Sequence, residues 1–381
     1  MPQSSHLYIG IMSGTSLDGV DVTLMSYQQN NINILASQTY AIDPDLKTAL
    51  LQICASKQVS LQQLGEIDHR LGQLYADCVL SLLSQTTYQA DQISAIGCHG
   101  QTIYHHPHGH YPFTMQIGDA NIIAVKTGIT TIADFRRKDM ALGGQGAPLV
   151  PAFHQAIFSE KTHNRVILNL GGIANISILF PGQSVTGYDT GPANVLLDGW
   201  IELHCQQPYD RNGNWAKQGQ CQNRLLEQLL TDPYFALSPP KSTGRERFNL
   251  AWLTPQITGL TIAAVDIQAT LIELTVQSIV NELQKLSPTP NLPCELIVCG
   301  GGARNVLMMS LLTQYLPDWS VTTTDQYGID VDYVEAMAFA WLAHQRLFNL
   351  AGNIPAVTGA KSAISLGVIY PALTHKETDH A

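Results

Sequence analysis

The sequence predicts an α/β protein built from two related lobes, and three observations lead to that prediction. The chain has 381 residues, more than a single domain usually holds. Two stretches, Leu7–Met25 and Val166–Phe180, repeat one arrangement of apolar strand, glycine-rich turn and second apolar strand. A third apolar stretch, Leu296–Cys299, runs through Gly300–Gly302 into a helical pattern. The repeat indicates an internal duplication at the level of structure.

The first hairpin, Gly10–Asp21, has an unusually polar tip. Its small residues at 13–16 let backbone amides and hydroxyls come close to phosphate oxygens, and Asp18 and Asp21 are placed to orient Mg²⁺ through water. The alternative is a plain tight hairpin in which Asp18-Gly19 only supplies the turn. For this motif alone the two interpretations stay open.

The second hairpin, Asn169–Ser177, and the third glycine turn at Gly300 favour the phosphate interpretation. A strand, a glycine turn and a helix N-terminus together suit a phosphate or a nucleotide. Two phosphate hairpins and one nucleoside-contacting turn form a complete ATP site. Three such signals in one chain are harder to obtain by chance than one.

Amphipathic helices are predicted between these motifs. Ser60 is an expected N-cap, and the apolar face that follows consists of Leu64, Ile67, Leu71, Leu74 and Cys78. Asp266 is expected to cap a longer helix that runs through Leu286. The stretch Tyr209–Arg247, rich in glycine and proline, predicts a loop-rich, mobile surface excursion.

Composition excludes several classes of protein. Twenty Lys and Arg against thirty Asp and Glu give a net charge of −10, and Arg136-Arg137-Lys138 is the main cationic cluster. Binders of nucleic acid or anionic membranes need cations that neutralise phosphates, so neither partner is expected. Apolar windows are too short to span a bilayer, and the first residues lack signal-peptide features. The sequence therefore predicts a soluble, cytoplasmic protein.

Cysteines and histidines give no sign of a metal site. Seven cysteines are scattered without a Cys-x-x-Cys pair, so we expect reduced, mainly buried thiols. The run His105–His110 lies in a loop with proline and glycine and has no acidic or cysteine partner at ligand spacing. Direct metal ligation by protein side chains is not expected. His99 and Gln101 follow a predicted strand and either line a pocket or hydrogen-bond the turn.

Asp189, within Gly187–Asn194, is the main candidate for chemistry. It follows a predicted strand, Ser184–Tyr188, and precedes a Gly-Pro turn, so it is expected at the carboxyl end of that strand. The alternative is that Asp189 caps the helix that starts near Pro192. The two roles are compatible.

Other carboxylates have structural alternatives as well. Asp332 and Glu335 have the spacing of an N-cap and its capping-box partner. Asp119, Asp134 and Arg136 are polar residues between apolar stretches, which makes them candidates for binding. For Asp134 and Arg136, the structural alternative is an ion pair with each other.

Eight motifs, spread in order along nearly the whole chain, are distinctive together: Gly14–Asp21, Cys98–Thr102, Gln116–Asp119, Asp134–Arg136, Gly143–Pro151, Asn169–Asn175, Gly187–Asn194 and Cys299–Asn305. In these motifs the chain resembles one known family, the anhydro-N-acetylmuramic acid kinases of bacterial peptidoglycan recycling. That family lies within the superfamily of sugar kinases, heat-shock ATPases and actin.

The resemblance implies a two-lobed actin-like ATPase fold with duplicated ribonuclease H-like domains around a central ATP cleft. One lobe is expected in residues 1–131 with 360–381 and the other in 132–359. ATP and Mg²⁺ are the implied cofactors, 1,6-anhydro-N-acetylmuramic acid is the implied substrate, and a homodimer is the implied assembly. The Mg²⁺ is expected to be bound with ATP.

The resemblance also assigns residues. Asp189 is implied as the general base and Arg136 as a partner of the lactyl carboxylate of the sugar. Further sugar contacts are implied at Gln101, Asp119, Asn175 and Glu335. ATP is expected to contact Gly14, Thr15, Ser16, Leu17, Asp18, Gly19, Val20, Asp21, Gly171, Gly172, Ile173, Gly300, Gly301 and Gly302.

The implied reaction couples two cleavages. A 1,6-anhydro sugar has no free hydroxyl at carbon 6, so water activated by Asp189 attacks the anomeric carbon and the departing oxygen 6 accepts the γ-phosphoryl group. Two alternatives remain: a kinase for another amino sugar or a carboxylate, and a non-catalytic actin-like ATP-binding regulatory protein.

Overall fold

The computed structural model describes residues 6–14, 17–28 and 31–372, and it confirms the predicted α/β class. Its strands are β1 His6–Ser13, β2 Val20–Gln28, β3 Asn31–Tyr40, β4 Ile93–His106, β5 Phe113–Ile117, β6 Thr131–Ala133, β7 Asn164–Leu170, β8 Ile173–Leu179, β9 Thr186–Pro192, β10 Cys294–Cys299, β11 Trp319–Thr323 and β12 Val368–Tyr370.

The helices lie between these strands. They are α1 Pro44–Ser56, α2 Leu61–Ser84, α3 Ala120–Thr127, α4 Arg137–Ala141, α5 Val150–Phe158, α6 Asn194–Cys205, α7 Asn223–Leu230, α8 Leu250–Ile257, α9 Ala264–Gln284, α10 Val306–Tyr315, α11 Val334–Leu347 and α12 Pro355–Thr358. Within the described residues, no helix combines the length and the apolar character that a membrane crossing requires.

Two compact units make up the chain, one within Met1–Ile157 and Tyr333–Ala381 and the other within Phe158–Asp332. The expected boundaries were 131/132 and 359/360, so residues 132–157 and 333–359 change sides. The reason is packing: α11 lies against β1, β2 and β4, and the buried Asp139 carboxylate accepts hydrogen bonds from Asn353 (2.7 Å) and Thr358 (2.8 Å).

Among the residues that the structure describes, each unit contains one sheet, and the two sheets share a topology. In the first, the order β3-β2-β1-β4-β6 has two antiparallel pairings followed by two parallel ones, and β12 and β5 are added to it. In the second, the order β9-β8-β7-β10-β11 has the same sequence of directions. This correspondence is what a structural duplication produces, as the repeated hairpins predicted.

Two facing glycines allow α11 to pack directly on the first sheet. Gly10 of β1 pairs with Gly97 of β4, and both lie under the helix. A Cβ atom at Gly10 would lie 1.8 Å from the carbonyl oxygen of Ala336, and one at Gly97 would lie 2.0 Å from that of Phe339. Larger residues would push α11 away from the sheet, and Glu335 in its first turn would move with it.

Of the two predicted helix N-caps, one is confirmed and one is wrong. Ser60 caps α2 by accepting a hydrogen bond from the Gln63 amide (3.1 Å), as predicted. The prediction for Asp266 is wrong: α9 starts earlier, after Ala263, and Asp266 accepts from the Gln220 amide instead (2.8 Å). A carboxylate in a first turn is available to neighbouring loops once the helix begins before it.

The stretch Tyr209–Arg247 is not a surface excursion. It contains α7, and its side chains Ala216, Leu225, Leu229 and Tyr234 are buried. The first three belong to the hydrophobic core of the second unit. The stretch is loop-rich, as predicted, because only α7 and the short turns Arg211–Gly213, Ala216–Gln218 and Pro233–Ala236 interrupt its loops, but these helical turns carry side chains into the core.

All seven cysteines lie in the described part of the chain, and none of them forms a disulfide. Cys78, Cys98 and Cys299 are buried, whereas the other four are partly exposed, which corrects the expectation that most of them are buried.

Candidate active site

The tip of the first hairpin, between β1 and β2, is built on a buried polar pair. The Ser13 hydroxyl donates to Oε1 of Gln101 (2.6 Å), and Nε2 of Gln101 lies 3.4 Å from the Gly14 carbonyl oxygen. The amide of Leu17 closes the turn on that same carbonyl (3.1 Å). Thr15 and Ser16, which were expected to contact ATP, lie outside the described residues.

The other tip residues divide by exposure. Leu17 and Val20 are buried and so offer a ligand only their backbone, whereas Asp18 is exposed. Asp21 is partly buried and accepts the Thr39 hydroxyl (2.6 Å). Gly19 lies against the same part of β3, because a Cβ there would be 2.6 Å from the Thr39 methyl group.

Gln101 is fully buried, and its side chain is taken up by the hairpin. The structure therefore gives this residue a supporting contact under the first glycine turn. A direct sugar contact for Gln101 stays a prediction.

Arg136 is fixed by two neighbours in the first unit. Its Nε and Nη2 atoms donate to Nε2 of His99 (3.0 and 2.8 Å), and its Nη1 atom donates to the Gly146 carbonyl (2.8 Å). A guanidinium carries five N–H donors. Within the described residues, these bonds leave one N–H group on Nη1 and one on Nη2 without a partner. The Nη1 and Nη2 atoms form the edge of the guanidinium that pairs with a carboxylate, so these N–H groups are available to a ligand.

The state of His99 follows from this contact. Burial, and then the charge of Arg136, lowers the pKa of His99 well below its usual value. A neutral imidazole presents one nitrogen as an acceptor, and here that nitrogen is Nε2. Burial likewise lowers the pKa of Arg136 to about 10, while Glu335 and Asp139 oppose that shift.

Glu335 lies in the first turn of α11, in the same unit as Arg136. Burial raises the pKa of its carboxyl, Arg136 lowers it and Asp21 raises it again. These three charged side chains therefore lie within electrostatic reach of one another. In the described part of the chain, no hydrogen bond or ion pair joins Arg136 to Glu335.

The capping box expected for Asp332 and Glu335 is wrong. The helix starts at Val334 after Tyr333, and no side chain of the described residues caps it. The Asp332 carboxylate instead accepts from the Arg304 guanidinium (3.1 and 3.2 Å), within the second unit. Glu335 is thus not used in a capping box.

Asp119 and Asp134 have local partners. Asp119 caps α3 by accepting from the Asn121 amide (2.8 Å), so its predicted sugar contact has a structural alternative and stays a prediction. Asp134 pairs with Arg137 (2.8 Å from Nε), not with Arg136, because the side chain of Arg136 turns toward His99.

The second hairpin, between β7 and β8, is held by the start of α6. The amides of Ala193 and Val195 donate to the Gly172 carbonyl (2.9 and 3.1 Å), and the Asn194 amide donates to that of Gly171 (3.1 Å). Ile173 begins β8 and pairs with Pro192. Since the hairpin carbonyls point at this helix, the turn is fixed from one side.

The third glycine turn lies beside the end of β7. Gly300 has a φ of 81°, and a Cβ there would lie 2.4 Å from Oδ1 of Asn169. A Cβ at Gly302 would lie 2.6 Å from that of Leu170. Gly301 opens the short turn Gly301–Arg304 that precedes α10 and has open space around it. The structure thus brings the predicted nucleoside turn next to the second glycine hairpin.

Asp189 lies within β9 rather than at its carboxyl end, because the strand continues to Pro192. It does not cap α6, whose cap residue is Ala193. Its Oδ2 atom accepts the Thr243 amide (2.9 Å), and its carbonyl accepts the Tyr234 hydroxyl (2.7 Å). Burial raises its pKa to about 6, with the Thr243 amide lowering it and Glu246 raising it.

A polar row crosses the second sheet next to Asp189. Asn175 of β8 pairs with Asp189, Asn169 of β7 pairs with Asn175, and Cys299 of β10 pairs with Asn169. Paired residues project from the same face of a sheet. Asn175, a predicted sugar contact, therefore lies between the carboxylate and the glycine turns.

Sequence reasoning missed several residues around these groups. They are His99 as a partner of Arg136, Asn169 in the polar row, and Tyr234, Lys241 and Thr243 around Asp189. Arg245 was missed too: its guanidinium lies 3.5 Å from where a Cβ of Gly172 would be. A signal was present, because residues 241–247 (KSTGRER) are densely charged in a chain with only 13% charged residues.

Comparisons with known proteins bear on the chain as a whole. The family model for anhydro-N-acetylmuramic acid kinase matches residues 6–372. A relative of that name from Pasteurella multocida (strain Pm70) is 56% identical over 382 residues, which cover 100% of both chains. Another from Vibrio cholerae serotype O1 is 56% identical over 365 residues, covering 96% of this chain and 98% of the relative.

Among solved structures, the chain is similar to a ROK family glucokinase from Streptomyces griseus in complex with glucose and AMPPNP. The TM-score is 0.39 at 13% identity, with 89% of this chain and 99% of that one covered. The match along the sequence, together with the relatives of the same name, identifies the family: the chain belongs to the anhydro-N-acetylmuramic acid kinases.

Proposed function

We propose that this chain is an ATP-dependent kinase that opens the 1,6-anhydro ring of 1,6-anhydro-N-acetylmuramic acid and phosphorylates oxygen 6. The products are N-acetylmuramic acid 6-phosphate and ADP. Family membership supports the substrate and the reaction. The observation that carries the mechanism is the environment of Asp189, a partly buried carboxylate with a pKa of about 6.

Asp189 serves as the general base in this proposal. A base works best when its pKa lies near the operating pH, because it is then mostly ionised and still takes up a proton readily. Within the described residues, Oδ2 is used by the Thr243 amide and Oδ1 has no hydrogen bond. Oδ1 is therefore the atom that accepts the proton of the attacking water.

The bond changes balance as follows. Water loses a proton to Asp189, and its oxygen forms a bond to the anomeric carbon. The bond between that carbon and oxygen 6 breaks, and oxygen 6 takes the γ-phosphoryl group as the bond to ADP breaks. The base acts on the face opposite the leaving oxygen, as in an inverting glycosidase, and the phosphoryl group takes the place of the general acid.

Arg136 and Glu335 bind the sugar in this proposal. The donors of Arg136 that His99 and Gly146 leave over suit the lactyl carboxylate of the substrate. The Glu335 carboxylate accepts hydrogen bonds from sugar hydroxyl or amide groups. Asn175 is adjacent to Asp189 in register and is a further sugar contact, as are Gln101 and Asp119.

ATP is bound mainly through backbone groups. Gly14–Asp21 and Gly171–Ile173 contact its phosphates, and Gly300–Gly302 contact the nucleoside, as glycine turns elsewhere do. The exposed Asp18 and the partly buried Asp21 fit a Mg²⁺ ion held through water, since this ion usually keeps several waters and takes only one or two carboxylates. When bound with ATP, Mg²⁺ neutralises charge that develops on the phosphates.

Three finer properties belong to the proposal. They are use of Mg²⁺ with ATP, assembly as a homodimer and a cytoplasmic location. They are supported by the family resemblance.

Mass spectrometry of reaction products tests the proposal. Incubation with ATP, Mg²⁺ and anhydro-N-acetylmuramic acid is expected to give N-acetylmuramic acid 6-phosphate. Three other compounds are offered under the same conditions and are expected to stay unphosphorylated: N-acetylmuramic acid without the anhydro bridge, N-acetylglucosamine and acetate. Phosphorylation of one of these instead would favour another sugar or carboxylate kinase, and ATP binding without any phosphorylated product would favour a non-catalytic regulatory protein.

A further inference from the structure

One segment of the second unit, residues 234–243, contacts Asp189 at three atoms. The Asp189 amide donates to the Lys241 carbonyl (3.2 Å), and its carbonyl accepts the Tyr234 hydroxyl (2.7 Å). Its carboxylate accepts the Thr243 amide (2.9 Å). We call residues 234–243 the base clamp. The clamp fixes the backbone and the carboxylate of Asp189 together.

A buried ion pair anchors the base clamp. Nζ of Lys241 lies 2.9 Å from Oε1 of Glu282 on α9, and the two side chains are only 1% and 3% exposed. The same ammonium group lies 4.9 Å from the centre of the Tyr234 ring. Lysine is rarely buried unless it is paired, because removing its charge from water is costly. The position of Lys241 is therefore closely defined.

Glu282 is stabilised in its charged form. Burial raises the pKa of its carboxyl, but hydrogen bonds and charges from Lys285 and Lys241 outweigh burial and leave the pKa below its usual value. The Lys285 side chain is half exposed, so the contact that is sealed from water is the one with Lys241. The ion pair thus ties the clamp to the helix that forms the core of this unit.

We propose that Lys241, Glu282 and Tyr234 are positioning residues for the general base: they hold the base clamp on α9 and thereby aim the Asp189 carboxylate at the water. The inference rests on the proposed role of Asp189 as the base. It assigns a purpose to a charged pair that is buried at a high desolvation cost and is not part of the proposed reaction.

Loss of the clamp has a predictable electrostatic consequence. The Thr243 amide stabilises the charged carboxylate, so losing that contact raises the pKa of Asp189 above its present value of about 6. Among the described residues, the titratable groups that act on Asp189 are Tyr234 and Glu246, and those around Tyr234 are Lys241, Glu282, Arg247 and Tyr188. Glu246 raises the pKa of Asp189 and so does not compensate for the lost amide.

Two variants and one matched control test the proposal. Lys241→Met combined with Glu282→Leu replaces the ion pair by apolar groups, which avoids leaving one charge buried alone. Tyr234→Phe removes only the hydroxyl that binds the Asp189 carbonyl. Tyr327→Phe is the control, because its hydroxyl also donates to a neighbour in this unit, Glu295, but does not contact the clamp.

The double variant is expected to lose about ten- to a hundredfold in kcat, since small displacements of a reacting group have effects of that size. Tyr234→Phe is expected to lose about three- to tenfold, the effect of one hydrogen bond. KM for ATP stays unchanged in both. The wild-type kcat declines below about pH 6, and in the double variant this decline starts at a pH higher by roughly half a unit to one unit.

A wild-type kcat in folded Tyr234→Phe would overturn the proposal, and so would a loss of kcat in Tyr327→Phe equal to that in Tyr234→Phe. Should the double variant fail to fold by circular dichroism, Tyr234→Phe decides alone. A wild-type protein that forms no sugar phosphate would refute the proposed function but not the clamp. In that case, titration of ¹³C-labelled Asp189 by NMR decides: a pKa that is the same in the double variant as in the wild type contradicts the clamp.

Discussion

Asp189→Asn is expected to lower kcat by about 10²–10⁴-fold, the usual contribution of a general base. Asparagine has the shape of aspartate, and its side-chain oxygen still accepts the Thr243 amide. Binding of sugar and ATP should therefore persist. The measurements are steady-state kinetics for kcat and isothermal titration for both ligands.

The same substitution is expected to stabilise the folded protein. Burial raises the pKa of Asp189 from 3.8 to about 6, so the folded state disfavours the charged form that the unfolded chain prefers. That cost is absent below about pH 4, grows between pH 4 and 6 and is complete above pH 6. Removing this cost raises the free energy of unfolding by about 1–3 kcal/mol at neutral pH and raises Tm by roughly 5 °C.

Asp318→Asn is the control for this pair of effects. Asp318 is exposed in the same unit, so the identical substitution should change neither kcat nor Tm. Turnover of Asp189→Asn within tenfold of wild type would refute its role as base. A lower Tm at neutral pH would show that the carboxylate contributes to stability instead.

Arg136→Ala is expected to raise KM for the sugar by about ten- to a hundredfold, the effect of losing charged hydrogen bonds. KM for ATP should change little. In Arg136→Lys, KM for the sugar should remain well above the wild-type value, because an ammonium group lacks the planar arrangement of donors that pairs with a carboxylate.

The neighbouring Arg137 supplies the control. Its side chain is 67% exposed and pairs with Asp134, so Arg137→Ala removes the same charge from the same region without touching His99 or Gly146. Equal increases in KM for sugar and ATP in Arg136→Ala would contradict the assignment. An increase in KM for the sugar in Arg137→Ala as large as that in Arg136→Ala would contradict it as well.

Features set by local sequence were predictable. The strand and glycine-turn repeat at Leu7–Met25 and Val166–Phe180 led to two sheets of the same topology. The cap at Ser60 was also correct, because a cap depends on residues within one turn of the helix.

Features that depend on contacts between residues distant in sequence could not be predicted. The strand with Asp189 extends to Pro192 because β8 pairs with it, and sequence alone does not show how far such pairing continues. Thr243 lies 54 residues from Asp189, so no local pattern joins them. Arg136 was paired with Asp134 by proximity in sequence, whereas the fold presents His99 to it from β4.

The central claim is that ring opening by water and phosphoryl transfer are one coupled reaction, and the fate of the oxygen of that water tests it most directly. The reaction is run in ¹⁸O-labelled water with ATP, Mg²⁺ and anhydro-N-acetylmuramic acid, and the products are fragmented in a mass spectrometer early enough to precede exchange. The account predicts one ¹⁸O atom on the anomeric hydroxyl of the sugar phosphate and none in its phosphate group. Label in the phosphate group, or a phosphorylated sugar with no label at the anomeric carbon, would contradict it.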